Sequence, residues 1–205
     1  MEKLIRIFSY LFYPLFIPTY ATLFYFILAG KFFVVNELYL IFIQVFILTV
    51  LLPVSVYYLL RSLGLVSSTM LSEKKERRLP LAINCLLLLM LTEYSFREFH
   101  VKELYFYFLG LLISFGGALV MVLRHVKASL HMMGIASLTM FIISLSMYYH
   151  VRLIVVIAFL IMCCGYVAAS RLQAKAHTPA ELIIGTFLGI MPQVALWYAW
   201  LIPAL

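Results

Sequence analysis

Residues 104–123 read LYFYFLGLLISFGGALVMVL, without one charged side chain. At 1.5 Å per residue, a helix of about 20 residues spans about 30 Å, the thickness of a bilayer's hydrocarbon core. The rest of the chain has the same character. Hydrophobic residues make up 66% of the 205-residue chain and charged residues 11%, and its mean hydropathy is +1.10. A soluble domain carries about 25% charged residues, so a water-facing surface cannot be built from this composition. Lipid removes the need for one, provided every backbone polar group is paired inside the segment.

Six more apolar runs flank the first, at about 8–29, 38–60, 80–96, 129–149, 153–169 and 180–205. The sequence therefore predicts an all-α, polytopic transmembrane helical bundle of about six to seven spans. Short connections and the absence of a linker or repeat make residues 1–205 a single integral membrane domain. The basic start, Met1-Glu2-Lys3-Leu4-Ile5-Arg6, precedes a run too long for a signal peptide's apolar region and reads as an uncleaved first helix. Pro14 and Pro18 are expected to bend it, and Pro80 suits the first turn of the third helix.

All eight acidic residues are Glu. Enzymes that hold Mg²⁺ through Asp-rich motifs are thereby disfavoured. Cys85, Cys163 and Cys164 lie in apolar runs without metal-ligand spacing, and read as packing residues. The reading assigns no cofactor, no metal site and no nucleic-acid partner, and leaves the oligomeric state open.

Counting runs assigns each loop to a face. The N-terminus and the loops at 61–79, 124–128 and 170–179 fall on one face, and the loops at 30–37, 97–103 and 150–152 on the other. Eleven of the 15 Lys and Arg residues lie on the first face, with His125, His131 and His177 on or just below it. By the positive-inside rule that face is cytoplasmic. Ionisable groups near hydrocarbon are costly and usually have a partner or a function. Guanidinium and imidazole groups at one interface, with few carboxylates, make an anion site suited to a lipid headgroup phosphate.

Two histidines add chemistry. His177 and Glu181 are four apart and share a face if their turn is helical. A carboxylate that accepts from Nδ1–H leaves Nε2 free as a nucleophile. A second imidazole, His131, could protonate a leaving oxygen. Together they suit phosphoryl transfer through a phosphohistidine, without a metal ion.

Three segments carry a resemblance. Ser170-Arg171-x5-His177-x3-Glu181 holds the spacing S-R-x5-H-x3-D, with Glu in place of Asp. Ser129-Leu130-His131 is a reduced P-S-G-H. Lys74-Lys75-Glu76-Arg77-Arg78-Leu79-Pro80 is a compressed K-x6-R-P. In this order they resemble the type 2 phosphatidic acid phosphatases, or lipid phosphate phosphatases, over about residues 74–181. The family-like catalytic region is about 74–190. The resemblance implies His177 as nucleophile, Glu181 as its orienting carboxylate and His131 as general acid. It implies Lys74 or Lys75, Arg77 or Arg78, Arg171 and Ser129 as phosphate-binding groups. It further implies a metal-independent hydrolase of phospholipid metabolism in the inner membrane of a bacterium. Its partners would be the bilayer and a membrane lipid phosphate: a polyprenyl diphosphate, phosphatidic acid or phosphatidylglycerol phosphate.

Plainer readings stand beside this one. Lys and Arg at helix ends snorkel to headgroups. His125 suits a solvated loop, and His100 and His150 suit helix ends on the far face. Gly185-x3-Gly189 suits close packing of the last helix on a neighbour. The alternative function is a non-catalytic protein that binds or transports an anionic lipid through the same cluster. A structural membrane subunit is a further rival.

Overall fold

The structure is a computed structural model that describes residues 2–30, 33–66, 75–96 and 101–204. Among these residues the chain is helical, with no strand. The helices are α1 (Glu2–Leu11), α2 (Ile17–Ala29), α3 (Val35–Ser62), α4 (Arg78–Met90) and α5 (Lys102–Leu123). They continue as α6 (Leu130–Tyr148), α7 (Ile154–Gln173), α8 (Pro179–Ala195) and the short α9 (Trp197–Trp200). Five helical segments are long and apolar enough to cross a membrane: α3, α5, α6, α7 and the segment Pro179–Ala204. The chain is thus an integral membrane protein in its coarse organisation.

One run differs from expectation. The first, read as one bent helix, is two. Residues 12–16 leave the helical conformation between α1 and α2. Pro14 explains the break: its ring disfavours helical geometry at Tyr13, and it has no N–H to continue the ladder. Pro18 instead falls in the first turn of α2, where the missing N–H has no intrahelical partner to lose. The third run is helical over its expected length, α4 passing without a break into a π-helical turn at Leu91–Ser95. Neither it nor the 13-residue α2 is among the five spanning candidates.

A second π turn, Ile47–Leu51, sits inside α3. Pro53 follows it and cannot donate to the Thr49 carbonyl, so the ladder loosens there. This proline and the next two turns of α3 later form one wall of the site.

Helix α6 is the centre of the bundle. Its window is 72% buried, against 28–44% for the other four spanning candidates. It packs against α2, α5, α7 and, most extensively, α8. The α6–α8 contact depends on two glycines. A Cβ at Gly185 would stand 2.4 Å from the Ser129 carbonyl oxygen, and one at Gly189 would stand 2.3 Å from that of Met133. Backbone occupies both places, so the expected role of Gly185-x3-Gly189 is realised on α6. Gly185→Ala is expected to cost about 1–3 kcal/mol by overpacking. A lowered melting temperature in detergent would show it. Gly116→Ala, where a Cβ meets nothing within 4 Å, is the control and should not lower it.

Four side-chain hydrogen bonds tie α5 to its neighbours. The Ser114 hydroxyl donates to the Leu188 carbonyl at 2.7 Å, and Gln193 Nε2 donates to the Tyr107 carbonyl at 3.0 Å. Glu103 is buried at the start of α5, and the hydroxyls of Tyr25 and Tyr149 donate to its carboxylate at 3.1 and 2.9 Å. These links fix α2, α5, α6 and α8 as one unit, which holds the site residues in register.

Candidate functional site

The segment from Arg171 to Glu181 is a helix end, a tight turn and a helix start. Helix α7 runs on to Gln173, so Ser170 and Arg171 are buried in its last turns rather than in the loop expected there. The helix ends in a Schellman turn. The Lys175 N–H donates to the Leu172 carbonyl at 2.9 Å, and the Ala176 N–H to the Arg171 carbonyl at 3.1 Å. Lys175 takes the left-handed conformation, φ 49°, that reverses the chain. Helix α8 then starts with a capping box. The Thr178 hydroxyl accepts from the Glu181 N–H, and Glu181 Oε2 accepts from the Thr178 N–H, both at 3.3 Å. The five residues between Arg171 and His177 are therefore the length of this turn, which presents both side chains at one end of the bundle.

Glu181 has a second partner. The same Oε2 lies 2.8 Å from His177 Nδ1. With Nδ1 protonated toward this carboxylate, Nε2 carries the lone pair. The longer Glu side chain suits both duties, since a capping box uses Glu or Gln at this position.

The N-terminus of α6 is pinned beside this turn. The Ser129 N–H donates to the Glu181 carbonyl at 3.0 Å, directly below the Gly185 contact. Ser129 caps α6, its hydroxyl accepting from the Met132 N–H at 3.5 Å. One turn on, His131 is buried with its ring edge-on to Tyr13 at 5.5 Å. Arg77 reaches across from the start of α4, donating from Nη1 to the Ala128 carbonyl at 3.4 Å.

Arg77, His131, Arg171 and His177 line one cavity of about 290 Å³. The structure brings these four together, with Glu181 bonded to His177. Ser129 is present as a helix cap. Arg78 is half-buried and is not on the cavity wall, so Arg77 is the arginine of that pair facing it. Lys74 lies outside the described residues, as does His100, and the Lys75 side chain lies outside them too. His125 and His150 occupy left-handed turn positions at the ends of α5 and α6 and take no part in the cavity.

The rest of the lining is mostly apolar and aromatic. It includes Tyr13, Pro14 and Leu15 from the α1–α2 break, and Pro53, Val54, Tyr57 and Tyr58 from α3. The cavity also contains Asn84, which the sequence reading passed over. Arg77, Pro80 and Asn84 recur at three and four residues, one helical face, and that periodicity is the signal that finds Asn84. Tyr13 carried no comparable signal, because its place depends on the break at Pro14.

Burial and charge set the electrostatics. Burial pulls the Arg77 guanidinium below its ordinary pKa, with Glu181 opposing and Arg171 reinforcing. An arginine stays protonated despite this. Burial also lowers the His177 pKa; its hydrogen bond to Glu181 opposes the shift, and Arg77 and Arg171 add to it. The balance favours the neutral imidazole. Among the described residues no three His, Cys, Asp or Glu side chains gather into a metal-binding group.

These directions predict a pH profile. As pH falls through the lowered His177 pKa, Nε2 protonates, so the titration midpoint of the ring should lie below the ordinary value of 6.5. Glu181→Gln removes the charge that raises the pKa, so its midpoint should move further toward acid. Following the His177 ring resonances by NMR in the two proteins checks both. A midpoint displaced toward alkaline pH in the variant would contradict the assigned geometry.

No family model matches the chain, and neither a curated protein nor a solved structure matches it.

Proposed function

We propose that this protein is a metal-independent phosphatase of a membrane lipid phosphate or diphosphate, working through a phosphohistidine. The observation that carries the reading is the shared cavity. An oriented imidazole, a second imidazole and two buried guanidinium groups share it with a mostly apolar, aromatic lining. A soluble phosphate would need no such lining, whereas an acyl or prenyl chain does. The cationic end suits the phosphate, with Arg77 and Arg171 as forked donors to its oxygens.

In the proposed reaction His177 Nε2 attacks phosphorus as the ester or anhydride P–O bond breaks. The negative charge of the bound phosphate favours protonated His131, which gives its proton to the leaving oxygen. Water then attacks the phosphohistidine. His131 takes the water's proton, the P–N bond breaks, and inorganic phosphate forms. Candidate substrates are phosphatidic acid, phosphatidylglycerol phosphate and a polyprenyl diphosphate, in the inner membrane of a bacterium.

The alternative is a protein that holds or transports an anionic lipid without chemistry. The capping box favours it in one respect, because Glu181 has a structural duty independent of His177. Release of phosphate from lipid phosphates by purified protein separates the two readings. Activity is expected to survive excess EDTA and to be inhibited by vanadate, which imitates five-coordinate phosphorus. Loss of activity on chelation, restored by Mg²⁺, would contradict the metal-free reaction.

A further inference from the structure

A second cavity, of about 270 Å³, lies against the first. The two share Tyr13, His131 and Arg171 as lining residues. The second is otherwise built by Ser9 and Tyr10 of α1 and by Ser170 and Ala174 at the end of α7. His177 and the apolar residues of α3 line only the first. Tyr10 and Ala174 are exposed, so the second cavity opens at the end of the bundle where the α7–α8 turn lies. Two hydroxyls lie on its inner side, Ser9 donating to Ser170 at 2.7 Å beneath the surface.

We propose that this second cavity is the site through which the attacking water enters and inorganic phosphate leaves, separate from the cavity that holds the lipid. The inference rests on the phosphatase reading and deepens it. After the first step the dephosphorylated lipid still fills the apolar cavity. Water must then approach phosphorus from the side the leaving oxygen has vacated, which is the side of His131. The first cavity is blocked there by the lipid's own chain. The second reaches His131 and Arg171 from the aqueous end without passing the lipid. Water from it gives a proton to His131 as its oxygen bonds phosphorus and the P–N bond to His177 breaks. The phosphate released has Arg171 on the wall it shares with the outer cavity, and the Ser9 and Ser170 hydroxyls beside its way out. Tyr13 stands between the compartments and keeps the chain out of the second.

The test fills the second cavity and leaves the first alone. Ala174→Trp closes it near its mouth, and Ser9→Phe closes it from within. In rapid-quench experiments on a lipid phosphate, phosphoenzyme should form within about twofold of the wild-type rate and decay at least about tenfold more slowly. Phosphoenzyme then accumulates, and its normal formation shows that the variant is folded. Equal slowing of formation and decay, or wild-type decay in both variants, would overturn the proposal. If wild-type protein forms no phosphoenzyme at all, the phosphatase reading fails, and access to the cavity is decided separately. Ser9→Cys, in a chain with its own cysteines replaced, should react with a small water-soluble thiosulfonate. Ala174→Trp should slow that labelling, and a lipid phosphonate seated in the first cavity should not. Labelling blocked by the phosphonate, or indifferent to Ala174→Trp, would overturn the separate route.

Discussion

His177→Ala is expected to give no measurable turnover on any substrate. Without Nε2 there is no covalent intermediate, and a loss on the order of 10⁶-fold is the scale seen when a covalent nucleophile is deleted. The structure makes this substitution unusually clean. The α8 capping box joins Thr178 to Glu181 and does not include the imidazole. The helix start should therefore survive, and with it Arg171, Arg77 and the cavity wall. Lipid phosphate should still bind. The non-catalytic alternative predicts no turnover by wild type or variant, and it is excluded if wild-type activity disappears while binding stays. Turnover by His177→Ala close to wild type would show that the nucleophile lies elsewhere.

His131→Ala is expected to fail in a way that depends on the leaving group. The nucleophile remains, but the leaving oxygen departs unprotonated. General acid catalysis is worth typically 10²–10⁴-fold, so a lipid alkoxide should lose about that much. p-Nitrophenolate needs little help, and an aryl phosphate should lose far less. Phosphoenzyme should also build up less with the lipid, because the first step is slowed. Equal losses on the two substrates would assign His131 to structure instead, as a buried ring packed edge-on to Tyr13. Comparison of the two substrates is therefore more informative than the size of either loss.

The helices of the second half of the chain were legible in the sequence because their signals are local. Apolar length marks α5, α6, α7 and α8; the caps at Ser129 and Thr178 emerge from the structure. The R-x5-H spacing was visible as a motif, but its physical basis was not. Only the structure shows the spacing to be a Schellman turn followed by a capping box. The first half was read less well. A run of apolar residues conceals whether a proline bends or breaks a helix, and Pro14 breaks it. That break brings Tyr13 beside His131, a contact between residues more than a hundred positions apart. Asn84 was missed because one amide in an apolar run does not alter a composition average, although its helical phase with Arg77 was available. Long-range juxtaposition, such as the sharing of Tyr13, His131 and Arg171 by two cavities, has no local signal at all.

The central claim is that phosphorus passes through His177. The most direct measurement is acid-quenched labelling of the purified protein with a ³²P-labelled lipid phosphate, with excess EDTA present. The account predicts an acid-labile, alkali-stable phosphoenzyme in the wild type, mapped to a peptide containing His177 and absent in His177→Ala. Steady phosphate release with no such intermediate, or a label that persists in His177→Ala, would contradict it.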